Sequence, residues 1–187
     1  MADEERLLRR IIHSMTWIVL VYYLIPDPLF GRPKRLWLMI LVGIVLTFEA
    51  LRLYFKFDVY GIRQYEKKQI AAYAWTAMAA GLTLLFFPMH LAIVCLVGMG
   101  IVDPVIGEIH YHVPKLYPYL PLVIWFGLAL LLLNLFTDIS MLLVFVMSVI
   151  GAVVAIIAEY PSIIIDDDFL MVVAPLLVLR GIELIMM

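Results

Sequence analysis

From Ile139 to Ala158 the chain runs for twenty residues without a charged side chain. Similar apolar runs recur along the sequence, and they are continuous rather than alternating. About 20 such residues are what an α-helix needs to cross the hydrocarbon core of a bilayer. Continuity favours helices over a barrel, whose strands alternate apolar and polar positions. Hydrophobic residues make up 66% of the 187 and charged ones only 15%, more apolar surface than a soluble domain of this length can bury. The expectation is an all-α, multi-pass integral-membrane protein. No linker, low-complexity run or internal repeat divides it, so residues 1–187 read as a single domain. The lone cysteine, Cys95, lies inside an apolar run and reads as a small buried hydrophobe, with no disulfide framework or thiolate metal site.

The apolar pattern predicts seven spans, over about 11–25, 36–57, 70–87, 91–102, 120–136, 139–158 and 169–187. Pro26 and Pro28 end the first and Pro88 the third. The fourth is too short to cross unaided, so it is extended, tilted or buried as a broken helix. Gly98 and Gly100 lie in it, where a missing side chain admits a close neighbour. With the N-terminus in the cytoplasm, the thirteen Lys and Arg divide nine inside to four outside, the bias expected of cytoplasmic loops. The polar clusters then share the cytoplasmic side: Arg9 to His13, Glu49 with Arg52, Asp103 with Glu108, and Glu159 to Asp168.

That last segment, Glu159-Tyr-Pro-Ser-Ile-Ile-Ile-Asp-Asp-Asp168, sets four carboxylates between two apolar runs. Charge this dense beside a bilayer is costly unless compensated, so it reads as a functional site. Divalent cations held by oxygen ligands, with phosphate groups, are the natural compensation. Plainer roles stand beside these readings. Asp103-Pro104 has the form of a helix start, with Asp as cap and Pro as first residue. Asp168 can cap the last helix, which leaves Asp166 and Asp167 for an ion. Glu49 and Arg52, three apart on one helix face, read as a structural ion pair. Arg9 and Arg10 can anchor the first span to anionic lipid. His110-Tyr-His112 reads as a loop feature.

Taken in order, these motifs resemble the dolichol kinase and phytol kinase family. Arg9-Arg10-Ile-Ile-His13 is similar to its Arg-Lys-x-x-His opening, and Glu49-Ala-Leu-Arg52 to its Glu-x-x-Arg. Val102-Asp103-Pro104-Val-Ile-Gly107 resembles its Gly-Asp-x-x-Ala-x-x-Gly segment, with Val102 in place of the first glycine. Glu159 with Asp166-Asp167-Asp168-Phe169 resembles its Glu…Asp-Asp-Asn-Leu block, with Asp168 in place of Asn. The family's Lys-Ser/Thr-x-x-Gly-Ser element is missing; Lys115 lies in the corresponding region. The resemblance implies CTP-dependent phosphorylation of a long-chain isoprenoid alcohol at the cytoplasmic face of the cell membrane.

On that resemblance, Asp103, Glu159, Asp166 and Asp167 hold Mg²⁺ against the phosphates of CTP. Lys115, Arg9, Arg10 and His13 bind the nucleotide, and an acid such as Glu108 or Asp168 accepts the alcohol's proton. The catalytic set is then Asp103, Glu108, Glu159 and Asp167, with membrane lipid and nucleotide as partners and no nucleic acid. A CTP:lipid-phosphate cytidylyltransferase can use the same metal site. A cation transporter and an inactive structural membrane protein are the readings from other classes.

Overall fold

The computed structural model describes residues 15–59, 61–160 and 165–186, and these form helices and connecting turns with no strand among them. A short 3₁₀ segment, Thr16–Tyr23, comes first. Six α-helices follow: α1 (Lys34–Phe55), α2 (Ala72–Phe86), α3 (Met89–His112), α4 (Tyr119–Phe136), α5 (Met141–Glu159) and α6 (Asp167–Met186). Two further 3₁₀ turns, Tyr65–Lys68 and Pro114–Leu116, sit in the connections. All but α2 are long and apolar enough to cross a membrane. The fifteen residues of α2 reach only about 22 Å at 1.5 Å per residue, short of a core of about 30 Å.

Five of the seven expected spans correspond to these long helices, four of them with ends displaced by a few residues and the fourth span extended by ten at its C-terminal end. The first expected span, 11–25, lies partly outside the described residues, and its described part is 3₁₀ rather than α-helical. The fourth resolves as an extended helix. α3 has 24 residues and continues through Asp103-Pro104, which therefore start no helix. A proline ring forfeits one hydrogen bond and crowds the carbonyl four residues back, here that of Gly100. Membrane helices tolerate this because neighbouring elements re-satisfy the freed backbone. His110 and His112, expected in a loop, complete the last turns of α3.

The helices alternate in direction, so the bundle has two distinct ends. One end gathers the C-termini of α1, α3 and α5 and the N-termini of α2, α4 and α6, and we term it the acidic end. Trp75 of α2 meets Phe169 of α6 there, ring centroids 5.3 Å apart. At the opposite end His90 of α3 meets Glu183 of α6. α3, α4, α5 and α6 build the core around Trp125. That indole, from α4, is fully buried between two glycines. A Cβ at Gly98 of α3 would lie 2.6 Å from Trp125 Nε1, and one at Gly151 of α5 2.6 Å from its Cη2. In a membrane, where tails are as apolar as side chains, close packing at small residues holds helices together. α1 is peripheral: it packs chiefly on α2 and leaves most of its surface exposed.

Candidate functional site

At the acidic end α1 finishes in a buried polar junction. Glu49 and Arg52 share a helix face and are 3% and 2% exposed. Arg52 Nε donates to Glu49 Oε2 and Nη2 to Glu49 Oε1, both at 2.7 Å. Nη2 also donates to the carbonyls of Glu66 (3.0 Å) and Gln69 (2.8 Å). Glu49 in turn accepts the Ala71 N–H at 2.7 Å and the Tyr73 hydroxyl. The pair expected from the sequence is therefore a staple that ties the 56–71 connection to α1 and α2. Its charges are spent on each other and on backbone.

The second feature is the start of α6. The ligand atoms of Asp166, Asp167 and Asp168 all lie within 4.8 Å of one another. Asp168 is completely buried. Asp166 stands just before the helix, and its Oδ1 accepts the Asp168 N–H at 3.1 Å. The cap is thus Asp166, not Asp168 as the sequence suggested. The helix begins two residues before the apolar run does, which moves the capping position upstream. Burial, and the charges of Asp168 and then Asp167, push the Asp166 carboxyl up to about 8. The dipole of α6 partly offsets this crowding, since negative charge is favoured at a helix N-terminus.

A third group lies where α3, α4 and α5 meet. Tyr117 donates its hydroxyl to Glu159 Oε2 at 2.5 Å. The His110 ring lies against that of Tyr117, centroids 4.6 Å apart and planes tilted by 49°. With Tyr160 these residues line an open cavity of about 280 Å³. Burial and the Glu159 charge raise the Tyr117 hydroxyl well above its usual range. Nearby on α3, Glu108 pairs with His112 at 3.2 Å, one helical turn apart.

The sequence-derived residues fall into separate places in this geometry. Asp166 and Asp167 share the close carboxylate group, and Asp168 joins them. Among the described residues, Asp103 and Glu159 stand outside that group. Asp103 is half-buried within α3, Glu159 is engaged by Tyr117, and Lys115 is exposed on the Pro114–Leu116 turn. Arg9, Arg10 and His13 lie outside the described residues.

Tyr117, Tyr73 and Glu66 escaped sequence reasoning as partners of the acids and of Arg52. So did a cluster at the opposite end. There His90 Nε2 lies 2.7 Å from Glu183 Oε1, and Arg180 Nη1 donates to Glu183 Oε2. His90 and Glu183 border a cavity of about 500 Å³ with Thr137, Asp138 and Ser140. His90 and Glu183 are 93 residues apart, and no local spacing signals their meeting.

A shared cation requires its oxygens to sit within one coordination sphere. Oxygens on opposite sides of Mg²⁺ are about 4.2 Å apart and those on Ca²⁺ about 5 Å. The spread of Asp166 to Asp168 is within the calcium span and close to that of magnesium. An all-carboxylate donor set also matches hard cations rather than softer metals. Against known proteins, no family model, no curated protein and no solved structure matches the chain.

Proposed function

We propose that this membrane protein is a nucleotide- and divalent-cation-dependent phosphotransferase acting on a long-chain isoprenoid alcohol. The observation that carries the reading is the group of three carboxylates within 4.8 Å at the head of a membrane helix. Asp166 and Asp167 hold the cation, and Asp168 fixes the third oxygen from its buried position. A cation held by these carboxylates would supply positive charge against the donor's phosphates and the transferred group. Lys115, exposed at the same end, supplies positive charge toward the phosphates. A carboxylate such as Glu108 takes the alcohol's proton as the new P–O bond forms and the donor's bridging P–O bond breaks, releasing a nucleoside diphosphate. The alcohol reaches the site from within the bilayer, its chain among the helices.

On this reading the acidic end is cytoplasmic and the membrane is the cell membrane. Among the described residues, six Lys and Arg lie toward the acidic end (Arg52, Lys56, Arg63, Lys67, Lys68, Lys115) and four toward the other (Arg32, Lys34, Arg35, Arg180). That excess supports the orientation. The segment ending at Tyr23 is then the first of seven spans, with the N-terminus cytoplasmic.

The test is transfer from CTP labelled at the α- or the γ-phosphate, using purified protein, Mg²⁺ and native lipid extract. γ-Label in an isoprenoid product that is lost in Asp167→Asn supports the kinase. α-Label in the lipid would make it a cytidylyltransferase, and no transfer from any nucleoside triphosphate would sink both.

A further inference from the structure

The Thr16–Tyr23 segment, the first half of α1 and the second half of α2 enclose a groove of about 450 Å³. It lies toward the opposite end of the bundle from the acidic cluster and is independent of it. Its walls are almost wholly apolar, with Val21, Leu41, Val45 and Ala77 among them. At its floor α1 and α2 approach closely: a Cβ at Gly81 would sit 2.8 Å from Val42 Cγ2. The volume is in the usual range of about 300–1,000 Å³ for a ligand site.

The polar rim of this groove is basic. Lys34 lines it, and its Nζ donates to the carbonyls of Tyr22 (3.3 Å) and Ile25 (3.2 Å) while lying 4.8 Å from the Tyr22 ring centroid. Two of its three N–H groups are used in this way, and one remains. Arg32 is held at the rim by paired backbone hydrogen bonds with Leu29, another lining residue (2.9 and 3.1 Å). Arg35 follows Lys34 directly. Both arginines are exposed and make no side-chain hydrogen bond or ion pair with the described residues. Among the described residues the carboxylate near them is Asp27, which accepts the backbone N–H of Lys34 at 3.1 Å. Three cations against one acid leave the rim with a net positive charge.

We propose that this groove binds one anionic membrane lipid, its hydrocarbon chain between the Thr16–Tyr23 segment, α1 and α2 and its phosphate at Arg32, Lys34 and Arg35. The chain alone cannot give selectivity. Moving a tail from bilayer to groove exchanges one apolar environment for another, and no hydrophobic gain results. Selection therefore rests on the headgroup, which the three cations complement. The lipid also joins the peripheral helix α1 to the Thr16–Tyr23 segment, both of which line the groove.

The experiment is native mass spectrometry of the delipidated full-length protein. It is titrated with phosphatidylglycerol or with phosphatidylcholine of identical chains. Wild type should bind phosphatidylglycerol at least tenfold more tightly. Arg32→Gln with Arg35→Gln should remove that preference, a loss of roughly thirtyfold if each arginine contributes about fivefold near an anionic headgroup. Both side chains are exposed, so this variant should fold; an unchanged melting profile checks it. Ala77→Phe, which fills the groove, should weaken both lipids alike. Equal binding of the two lipids by wild type overturns the proposal. So does displacement of phosphatidylglycerol by an uncharged polyprenol, which would give the groove to the substrate's chain. Binding of neither lipid, with the groove closed by residues 1–14 of the chain, overturns it as well. Phosphotransfer at the acidic end is measured separately, so failure of lipid selection at this groove is distinguishable from failure of the phosphotransferase reading.

Discussion

The two ends of the bundle treat buried carboxylates in opposite ways. At the end marked by His90, the Glu183 carboxylate is divided between an imidazole and a guanidinium, one on each oxygen. At the head of α6, three carboxylates stand side by side within 4.8 Å, and one is pushed up to about 8 by burial and by the charges of the others. The Glu49–Arg52 staple shows that the acidic end, too, can neutralise a buried acid internally. Compensation within the chain marks a structural role, because breaking it strands a charge. Crowding of like charges is unfavourable in itself, and a cation bound among them relieves it. The contrast, more than the count of acids, separates the candidate site from the scaffold around it.

The strongest way to break this contrast is to strand a charge on the scaffold side. Arg52→Leu leaves Glu49 buried without its partner and frees two loop carbonyls. A loss of about 3–5 kcal/mol is expected, the usual cost of breaking a buried pair, read by chemical denaturation in detergent. Glu49→Gln with Arg52→Leu should cost less than Arg52→Leu alone; equal loss would show that the pair's charges do not matter.

Divalent ions should act on one end only. At pH 7.5, Mg²⁺ or Ca²⁺ at a hundred times its Kd should stabilise wild type by about 2.7 kcal/mol. Asp167→Asn should abolish this gain, and Glu183→Gln should leave it intact. A gain that survives Asp167→Asn would move the ion elsewhere.

A lesion in the shared core should affect both ends together. Gly98→Ala forces a methyl against the Trp125 indole, which has nowhere to move, and about 1–3 kcal/mol is expected from such overpacking. Divalent stabilisation should persist in it, measured as the shift in melting temperature on adding Ca²⁺.

The smallest signal is a slope with pH. The Asp166 pKa is higher in the folded protein than the 3.8 of a free carboxyl. The folded state therefore holds more protons between about 4 and 8, and stability falls as pH rises through that window. One proton allows at most about 1.4 kcal/mol per pH unit. Asp166→Asn should flatten the slope, and so should saturating Ca²⁺, which displaces the proton. A slope that is unchanged in Asp166→Asn would assign the titration to another group.

Much of the helical plan was legible because apolar length and proline punctuation are local. The ends of α1, α4 and α5 fall within a few residues of those read from the sequence. Asp103-Pro104 misled because Asp followed by Pro has the form of a helix start, whereas within the bundle α3 runs through the pair. The cap at α6 was misplaced because an apolar run marks where burial begins, not where the helix does. Glu49 and Arg52 were found by their spacing of three on one face. Tyr117 with Glu159, 42 residues apart, and His90 with Glu183 were invisible because tertiary packing alone creates those contacts.

Trp125 carries a practical consequence. Its indole N–H has no hydrogen-bond partner among the described residues, and the ring is sealed between Gly98 and Gly151. Trp17 and Trp37 are exposed, and Trp75 is half-buried. With those three replaced by Phe, the remaining tryptophan becomes an optical gauge of the core. Its emission should lie toward the blue and resist aqueous quenchers while α3, α4 and α5 stay packed. Any event that parts these helices should redden it, giving a readout of the bundle's integrity that needs neither substrate nor label.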